Sequence, residues 1–210
     1  MTTDYSQNST SDVSYPYTDS LLHSPILMQS HDTALLIIDV QERLIQAVDD
    51  HKLIVWNIRR LIDAANALSI EIGITEQYPQ GLGHTIELLA KRIEKEPSQK
   101  MLFSCFGCNQ IFQKFKQSGI SKVLLCGIEA HICVLQTALD LISNDYQVFL
   151  AVDAIGSRNR IDYEFALRRM ESVGVTLTTT ESVMFEWCHR ADRVEFKAIS
   201  KLVKECLPDS

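Results

Sequence analysis

The feature of this sequence that most restricts its fold is an alternation of short apolar runs with longer amphipathic segments. The runs lie at 34–39, 70–75, 123–128, 147–154 and 175–180 and are rich in aliphatic or β-branched residues. Runs of this length are typical of strands buried on both faces of a parallel sheet. The segments between them have apolar residues at helical spacing. The sequence therefore predicts an α/β fold in which helices cover both faces of a mostly parallel sheet.

The remaining pattern predicts the helices and loops. Segment 76–85 contains Pro79 and two glycines and is predicted to be a loop, whereas the polar segment 94–100 is interrupted by Pro97 and is predicted to be a connector. Helices are predicted at 52–68, at 85–93, before Gly119, from Cys133 onward, and at 160–173, 181–188 and 193–205.

The N-terminal segment differs in composition from the rest of the chain. Its first twenty residues contain five Ser, four Thr and three Asp and lack Lys and Arg. A secretory signal needs a basic start and an apolar stretch, and a transit peptide is rich in Arg, so the segment fits neither. We predict a disordered acidic tail over residues 1–26 and one domain over residues 27–210, which is long enough for a full core.

Bulk charge and cysteine content limit the partners and the compartment. The net charge of −7, without a basic stripe, argues against a nucleic-acid backbone or an anionic membrane as the main partner. The longest apolar runs are too short to cross a bilayer. Six cysteines lie in or beside apolar segments and no export signal accompanies them, which predicts reduced thiols in a cytoplasmic protein.

Three residues near the predicted strand ends have side chains suited to nucleophilic chemistry. In a parallel sheet the ligand crevice lies beyond the carboxyl ends of the strands. Asp39 ends the first strand, Cys133 lies just past the strand 123–128, and Lys100 follows the polar connector. A cysteine in the first turn of a helix is expected to favour the nucleophilic thiolate. Alone, each residue has a commoner explanation as a cap, a buried thiol or a solvated side chain; together they fit one chemistry.

At these residues the chain resembles the isochorismatase-like cysteine hydrolases. The segments LLIIDVQ with Asp39, KMLFSCF with Lys100 and LLCGIEAHICVLQTALDL with Cys133 occur in that family's order. The patterns TEQYPQGLG and GIEAHICV resemble the branch called isochorismatase domain-containing proteins. The resemblance covers about residues 27–205. It implies a three-layer α/β/α fold with a central, mostly parallel sheet of about six strands.

The resemblance also implies a mechanism. In it a Cys133–Lys100–Asp39 triad hydrolyses an amide or a related C–N bond of a small molecule through an acyl-enzyme on the cysteine. A cis peptide bond is implied between Ile128 and Glu129, and the backbone N–H groups of Glu129 and Cys133 are implied to form an oxyanion hole. No cofactor is implied. Because relatives are commonly dimers or larger, a homo-oligomer is expected.

Four further residues are candidates for lining a substrate pocket. Gln41 lies two residues after Asp39, Gln77 and Tyr78 lie in the loop after a strand, and Phe103 could form an apolar wall. Ordinary loop or core positions are the alternatives for each of them. The loop lacks the Asp-x-His spacing of the metal-assisted nicotinamidases and contains only His84, so no metal site is predicted and that activity is disfavoured.

Two other functions remain open from the sequence. One is a catalytically idle oligomeric scaffold or binding protein. The other is a thiol redox protein that uses Cys105 and Cys108 of the CFGC segment, for which two ordinary core thiols are the alternative. His131 invites a Cys–His dyad with Cys133, but only two residues separate them on a tight turn, so its ring is expected to point elsewhere.

Overall fold

The computed structural model describes residues 24–207, so the predicted tail falls almost entirely outside the described residues. The strands are β1 (Thr33–Ile38), β2 (Glu71–Gln77), β3 (Ser98–Lys100), β4 (Lys122–Ile128), β5 (Gln147–Gly156) and β6 (Thr176–Thr178). The helices are α1 (Glu42–Ile45), α2 (His51–Ala67), α3 (Pro79–Leu82), α4 (Glu87–Ala90), α5 (Asn109–Gln117), α6 (Leu135–Ile142), α7 (Arg160–Ser172), α8 (Thr180–Cys188) and α9 (Phe196–Val203).

The six strands form one sheet in the order β3-β2-β1-β4-β5-β6. Every pair of neighbouring strands is parallel. This confirms the predicted α/β fold, with a sheet that is wholly rather than mostly parallel. None of the helices between residues 24 and 207 is long and apolar enough to cross a membrane.

Alternate residues of β1 supply two separate cores, one on each face of the sheet. Leu35 and Ile37 pack in the core that α2, α8 and α9 cover. Leu36 and Ile38 pack in the core that α5, α6 and α7 cover. Because successive strand residues point to opposite faces, an uninterrupted apolar run is what a strand buried on both sides requires.

The structure corrects several predicted boundaries. The connector 94–100 contains the edge strand β3, and β2 continues to Gln77 into the predicted loop. Cys133 does not open an α-helix, because a π-helical segment, Ala130–Val134, precedes α6. The helix predicted at 85–93 is the single turn α4, and α9 is shorter than the predicted 193–205.

The central strands bring their carboxyl ends to one place. Ile38, the last residue of β1, is level with Thr75 of β2 and with Gly127 of β4. Gly127 has a φ of +117°, and a Cβ at this position would lie 2.1 Å from the carbonyl oxygen of Ile38. Only glycine permits this approach of two backbones. The strand ends at 38, 75 and 127 therefore meet beside Asp39.

Candidate active site

Asp39 lies immediately after β1 and is completely buried. Its backbone is in the left-handed region, with a φ of 51°, where aspartate is among the better tolerated residues. One carboxylate oxygen, Oδ1, accepts a hydrogen bond from the Thr75 hydroxyl at 2.8 Å, and Oδ2 accepts one from the Lys100 ammonium at 2.7 Å. The carboxylate is thus held at both oxygens.

Lys100 reaches Asp39 from β3, the edge strand that the sequence did not predict. Its side chain is 3% exposed. Besides Asp39, its Nζ donates to Gln77 Oε1 at 2.8 Å and to the carbonyl oxygen of Phe103 at 2.9 Å. Burial alone lowers the pKa of Lys100, but the neighbouring Cys105, Asp39 and Cys133 groups more than offset this and the net pKa is raised. Lys100 is therefore an ammonium at physiological pH.

Cys133 lies in the π-helical segment after β4 and is buried beside this ion pair. Burial raises the pKa of its thiol, and so do the negative charge of Asp39 and a hydrogen bond to that carboxylate. The charge of Lys100 acts in the opposite direction. Burial and the adjacent carboxylate thus act against the thiolate that the start of a helix was expected to favour. The structure places a thiol next to a base.

The segment between β4 and Cys133 is held by the loop that follows β5. The peptide bond between Ile128 and Glu129 is cis. The carboxylate of Glu129 accepts hydrogen bonds from the backbone N–H of Arg158 at 3.2 Å and from its guanidinium Nε at 2.8 Å. The Nδ1 of His131 lies 2.9 Å from the hydroxyl of Ser157. The ring of His131 thus points to the β5 loop, as expected from the sequence.

Of the four candidate pocket residues, two are buried and two are partly exposed. Gln41 is completely buried, and its amide bonds to the backbone N–H and carbonyl of Gln77 and to the carbonyl of Gly83. Gln77 accepts from Lys100 and donates to the carbonyl oxygen of Met101. Hydrogen bonds to the protein thus occupy both amides. Tyr78 and Phe103 are about half exposed, so their rings can be reached from solvent.

Polar groups at the base of the 78–85 loop bind one another. The carboxylate of Glu76 accepts from the backbone N–H and hydroxyl of Thr85 and lies 3.1 Å from His84 Nδ1. Within residues 24–207, no group of three or more His, Cys, Asp or Glu side chains is arranged to hold a metal ion. His84 and Glu76 therefore contribute to the loop's attachment to the sheet.

Two residues of this site, Thr75 and Thr137, were not singled out from the sequence. Thr75 donates to Asp39, and its oxygen lies 3.4 Å from Cys105 Sγ. Because the Thr75 proton is given to the carboxylate, Cys105 is the donor in the second contact. The hydroxyl of Thr137 accepts from the backbone N–H of Cys105 at 2.9 Å and donates to the carbonyl of Cys133 at 2.6 Å. Thr75 ends the predicted strand 70–75, so the strand-end rule could have identified it.

Cys105 and Cys108 of the CFGC segment are both buried free thiols in the structure. Burial raises the pKa of Cys105 to about 12, with a further upward contribution from Asp39. Burial also raises the pKa of Cys108. A redox pair requires an accessible thiol with a lowered pKa, so these observations weigh against the redox function.

The wholly parallel six-stranded sheet with helices on both faces makes this an α/β protein. The Isochorismatase domain model matches residues 33–182. The chain belongs to the isochorismatase family, which confirms the resemblance read from its motifs.

Relatives support this assignment over most of the chain. Isochorismatase domain-containing protein 2A of Mus musculus is 40% identical over 179 residues, which cover 84% of each chain. A solved structure described as MAR1 ribonuclease from Caenorhabditis elegans is 37% identical with a TM-score of 0.80, covering 87% of this chain and 95% of that one. The YcaC protein of Escherichia coli, described as an octameric hydrolase of unknown specificity, is similar in fold, with 22% identity, a TM-score of 0.78 and coverage of 86% and 92%.

Proposed function

We propose that this protein is a cysteine hydrolase that cleaves an amide or related C–N bond of a small molecule through an acyl-enzyme on Cys133. The observation that carries the proposal is the buried Lys100–Asp39 pair, with an N···O distance of 2.7 Å, at the strand ends from which the segment with the buried Cys133 also begins. A nucleophile, a base within hydrogen-bonding distance and a third group that orients the base are the parts that nucleophilic catalysis requires.

Acylation follows from these positions. The sulfur of Cys133 attacks the substrate carbonyl carbon while its proton passes to Asp39, so a resting thiol is the appropriate starting state. The backbone N–H groups of Glu129 and Cys133 receive the developing oxyanion, and one such donor is typically worth about 3–4 kcal/mol in the transition state. When the C–N bond breaks, the leaving nitrogen takes the proton from Asp39.

Deacylation uses the same groups in the reverse order. Water attacks the thioester carbonyl and gives a proton to Asp39. The C–S bond breaks, and the proton returns to the sulfur of Cys133. Throughout the cycle Lys100 stays an ammonium, stabilises the charged forms and fixes the orientation of Asp39.

Replacement of Cys133 by Ala tests this proposal. We expect a panel of amides, ureides and esters to reveal turnover by the wild-type protein that the Cys133→Ala variant lacks, with an unchanged circular dichroism spectrum and melting temperature. The control is Cys206→Ala, because Cys206 is exposed and free and its removal should leave turnover intact. Equal turnover by wild type and Cys133→Ala would exclude the triad, and no turnover of any compound would favour the idle scaffold.

The same panel should include RNA, because the Caenorhabditis elegans neighbour is described as a ribonuclease. For this chain the net charge of −7 disfavours binding to a phosphate backbone. We expect no cleavage of RNA that depends on Cys133. RNA cleavage lost in the Cys133→Ala variant would replace the amide proposal.

The proposal includes a cytoplasmic homo-oligomer. Support for the cytoplasm comes from the six cysteines, all of which are free. Support for an oligomer comes from the Escherichia coli neighbour, which is described as octameric. Light scattering coupled to size-exclusion chromatography should give a mass that is a multiple of the 23.8 kDa chain. The mass of a single chain would contradict this part.

A further inference from the structure

The hydrogen bonds of Lys100 limit the charge of the substrate. An ammonium has three N–H donors. The Nζ of Lys100 has acceptors at Asp39 Oδ2, Gln77 Oε1 and the carbonyl oxygen of Phe103, all within 2.9 Å, and the carbonyl oxygen of Leu102 lies at 3.4 Å. With these acceptors in place all three donors are used. A carboxylate entering the site would have to displace one of them.

Asp39, the negative partner of Lys100, also has both of its carboxylate oxygens bound. Thr75 and Lys100 bind the two oxygens of Asp39. Asp39 has no exposed surface. Because the two opposite charges bind each other inside the protein, neither is available to a charged group of a substrate.

Arg158 is also paired with a carboxylate, although its side chain, unlike that of Lys100, is 55% exposed. Arg158 directs its Nε and Nη2 to the carboxylate of Glu129, at 2.8 Å and 3.3 Å. This second pair is also neutral. Lys100 and Arg158 are thus each paired with a carboxylate.

We propose that the Cys133 site selects uncharged carbonyl compounds over carboxylates, and that Gln77 maintains this selectivity by occupying one N–H of Lys100. The inference rests on the proposed function, since it names the substrate class of that same site. It gives Gln77 the role of a positioning residue: its Oε1 holds the ammonium and its Nε2 holds the carbonyl oxygen of Met101. Burying a carboxylate without a partner costs much more than burying an amide.

A matched pair of thiol reagents tests the selectivity without knowledge of the substrate. Iodoacetamide carries an uncharged amide where iodoacetate carries a carboxylate, and the two reagents are otherwise the same. With either reagent the sulfur displaces iodide, an S–C bond forms, and the thiol proton passes to Asp39 or to buffer. The exposed Cys206 provides an internal reference for the intrinsic reactivity of the two reagents. About 0.5 M salt reduces the Debye length to a few ångströms and suppresses the long-range effect of the net charge.

The preference of a cysteine is the rate of its alkylation by iodoacetamide divided by the rate with iodoacetate. We expect this ratio to be roughly 30-fold larger at Cys133 than at Cys206, as measured by mass spectrometry of the labelled peptides. The Gln77→Met variant keeps the side-chain length but lacks the acceptor, so it should release an N–H of Lys100 and narrow this preference by roughly tenfold. The matched control is Gln77→Glu, which retains an acceptor oxygen for Lys100 and should keep the wild-type preference or increase it. Circular dichroism should show that both variants are folded.

The outcomes separate this inference from the proposed function. Equal reagent preferences at Cys133 and Cys206 would overturn the inference, as would resistance of Cys133 to both reagents. A wild-type preference in Gln77→Met would overturn the assignment to Gln77. If alkylation of Cys133 were unselective while amide hydrolysis still depended on Cys133, the charge selectivity would be wrong and the proposed function would stand. Selective alkylation without hydrolysis of any compound would count against the proposed function while the charge selectivity stands.

Discussion

The two ends of strand β1 lie beside ion pairs with the same geometry and different surroundings. At the carboxyl end Lys100 donates to Asp39, at the amino end Lys122 donates to Asp32, and the N···O distance is 2.7 Å in both pairs. Each lysine side chain is 3% exposed. Residue type, distance and burial of the lysine therefore do not distinguish a candidate catalytic pair from a structural one.

The neighbours of each pair make the distinction. Lys122 also donates to the carbonyl oxygen of Leu27, and Asp32 accepts from the backbone N–H of Gln29 and the hydroxyl of Thr33. These bonds stabilise the segment before β1 and attach it to the sheet. At the other end the charge of the carboxylate acts on a buried thiol, that of Cys133. A buried ion pair becomes a candidate for chemistry when a nucleophile shares its carboxylate.

Replacement of Asp39 by Asn should have the largest effect on activity, and it should distinguish a catalytic ion pair from a structural one. Loss of the base is expected to lower amide hydrolysis by roughly 10²- to 10⁴-fold. The same change should accelerate the alkylation of Cys133 by iodoacetamide, because the charge of Asp39 raises the pKa of this thiol and the charge of Lys100 lowers it. Without the carboxylate the thiol pKa falls, and more thiolate is present at neutral pH.

The opposite movement of the two rates is the diagnostic observation. Asp32→Asn is the matched control at the amino end of β1 and should change neither rate. If neither rate changed in Asp39→Asn, the carboxylate would be a structural group like Asp32, and the comparison between the two pairs would fail.

Replacement of Lys122 by Met should have the next largest effect, on stability alone. It removes the donor to Asp32 and to the carbonyl oxygen of Leu27, and groups left without a partner in this way typically cost about 1–3 kcal/mol. Urea denaturation should show this loss in the free energy of unfolding, with unchanged kcat for the folded protein. Lost turnover in folded Lys122→Met would mean that the amino-end pair also supports the site.

The sequence predicted the positions of the central strands and two of the site residues from general rules. Asp39 and Cys133 follow strand ends, where the crevice of a parallel sheet lies. Lys100 was grouped with them because the three side chains fit one chemistry, and the family resemblance supported the grouping; its strand was not predicted, because β3 has only three residues, Ser98–Lys100, without an apolar pattern. The strand-end rule applied equally to Thr75, whose part in the site emerged only from the coordinates.

The protonation of Cys133 could not be predicted from local sequence. The expectation of a thiolate used the helix start alone. Burial and the charge of Asp39 raise the pKa of the thiol, and because Asp39 is far away in the chain, this effect follows only from the folded arrangement. For the same reason the roles of Gln41 and Gln77 appeared only when their amide partners, the backbone of the 77–83 loop and Lys100, were known.

The smallest expected effect concerns acid stability and sharpens the description of the amino-end pair. Burial tends to raise the pKa of Asp32, but hydrogen bonds from Lys122, Gln29 and Thr33 outweigh it and the net pKa is lowered. A carboxylate with a lowered folded-state pKa contributes stability above its unfolded value of about 3.9 and loses it as pH falls through the folded value. The stability difference between wild type and Asp32→Asn should therefore shrink on acidification below about pH 4.

In a Lys122→Met background the same difference should vary less with pH, because the ammonium donor is absent. A difference that stays constant down to pH 2 in urea titrations would show that Lys122 does not stabilise the charged form of Asp32.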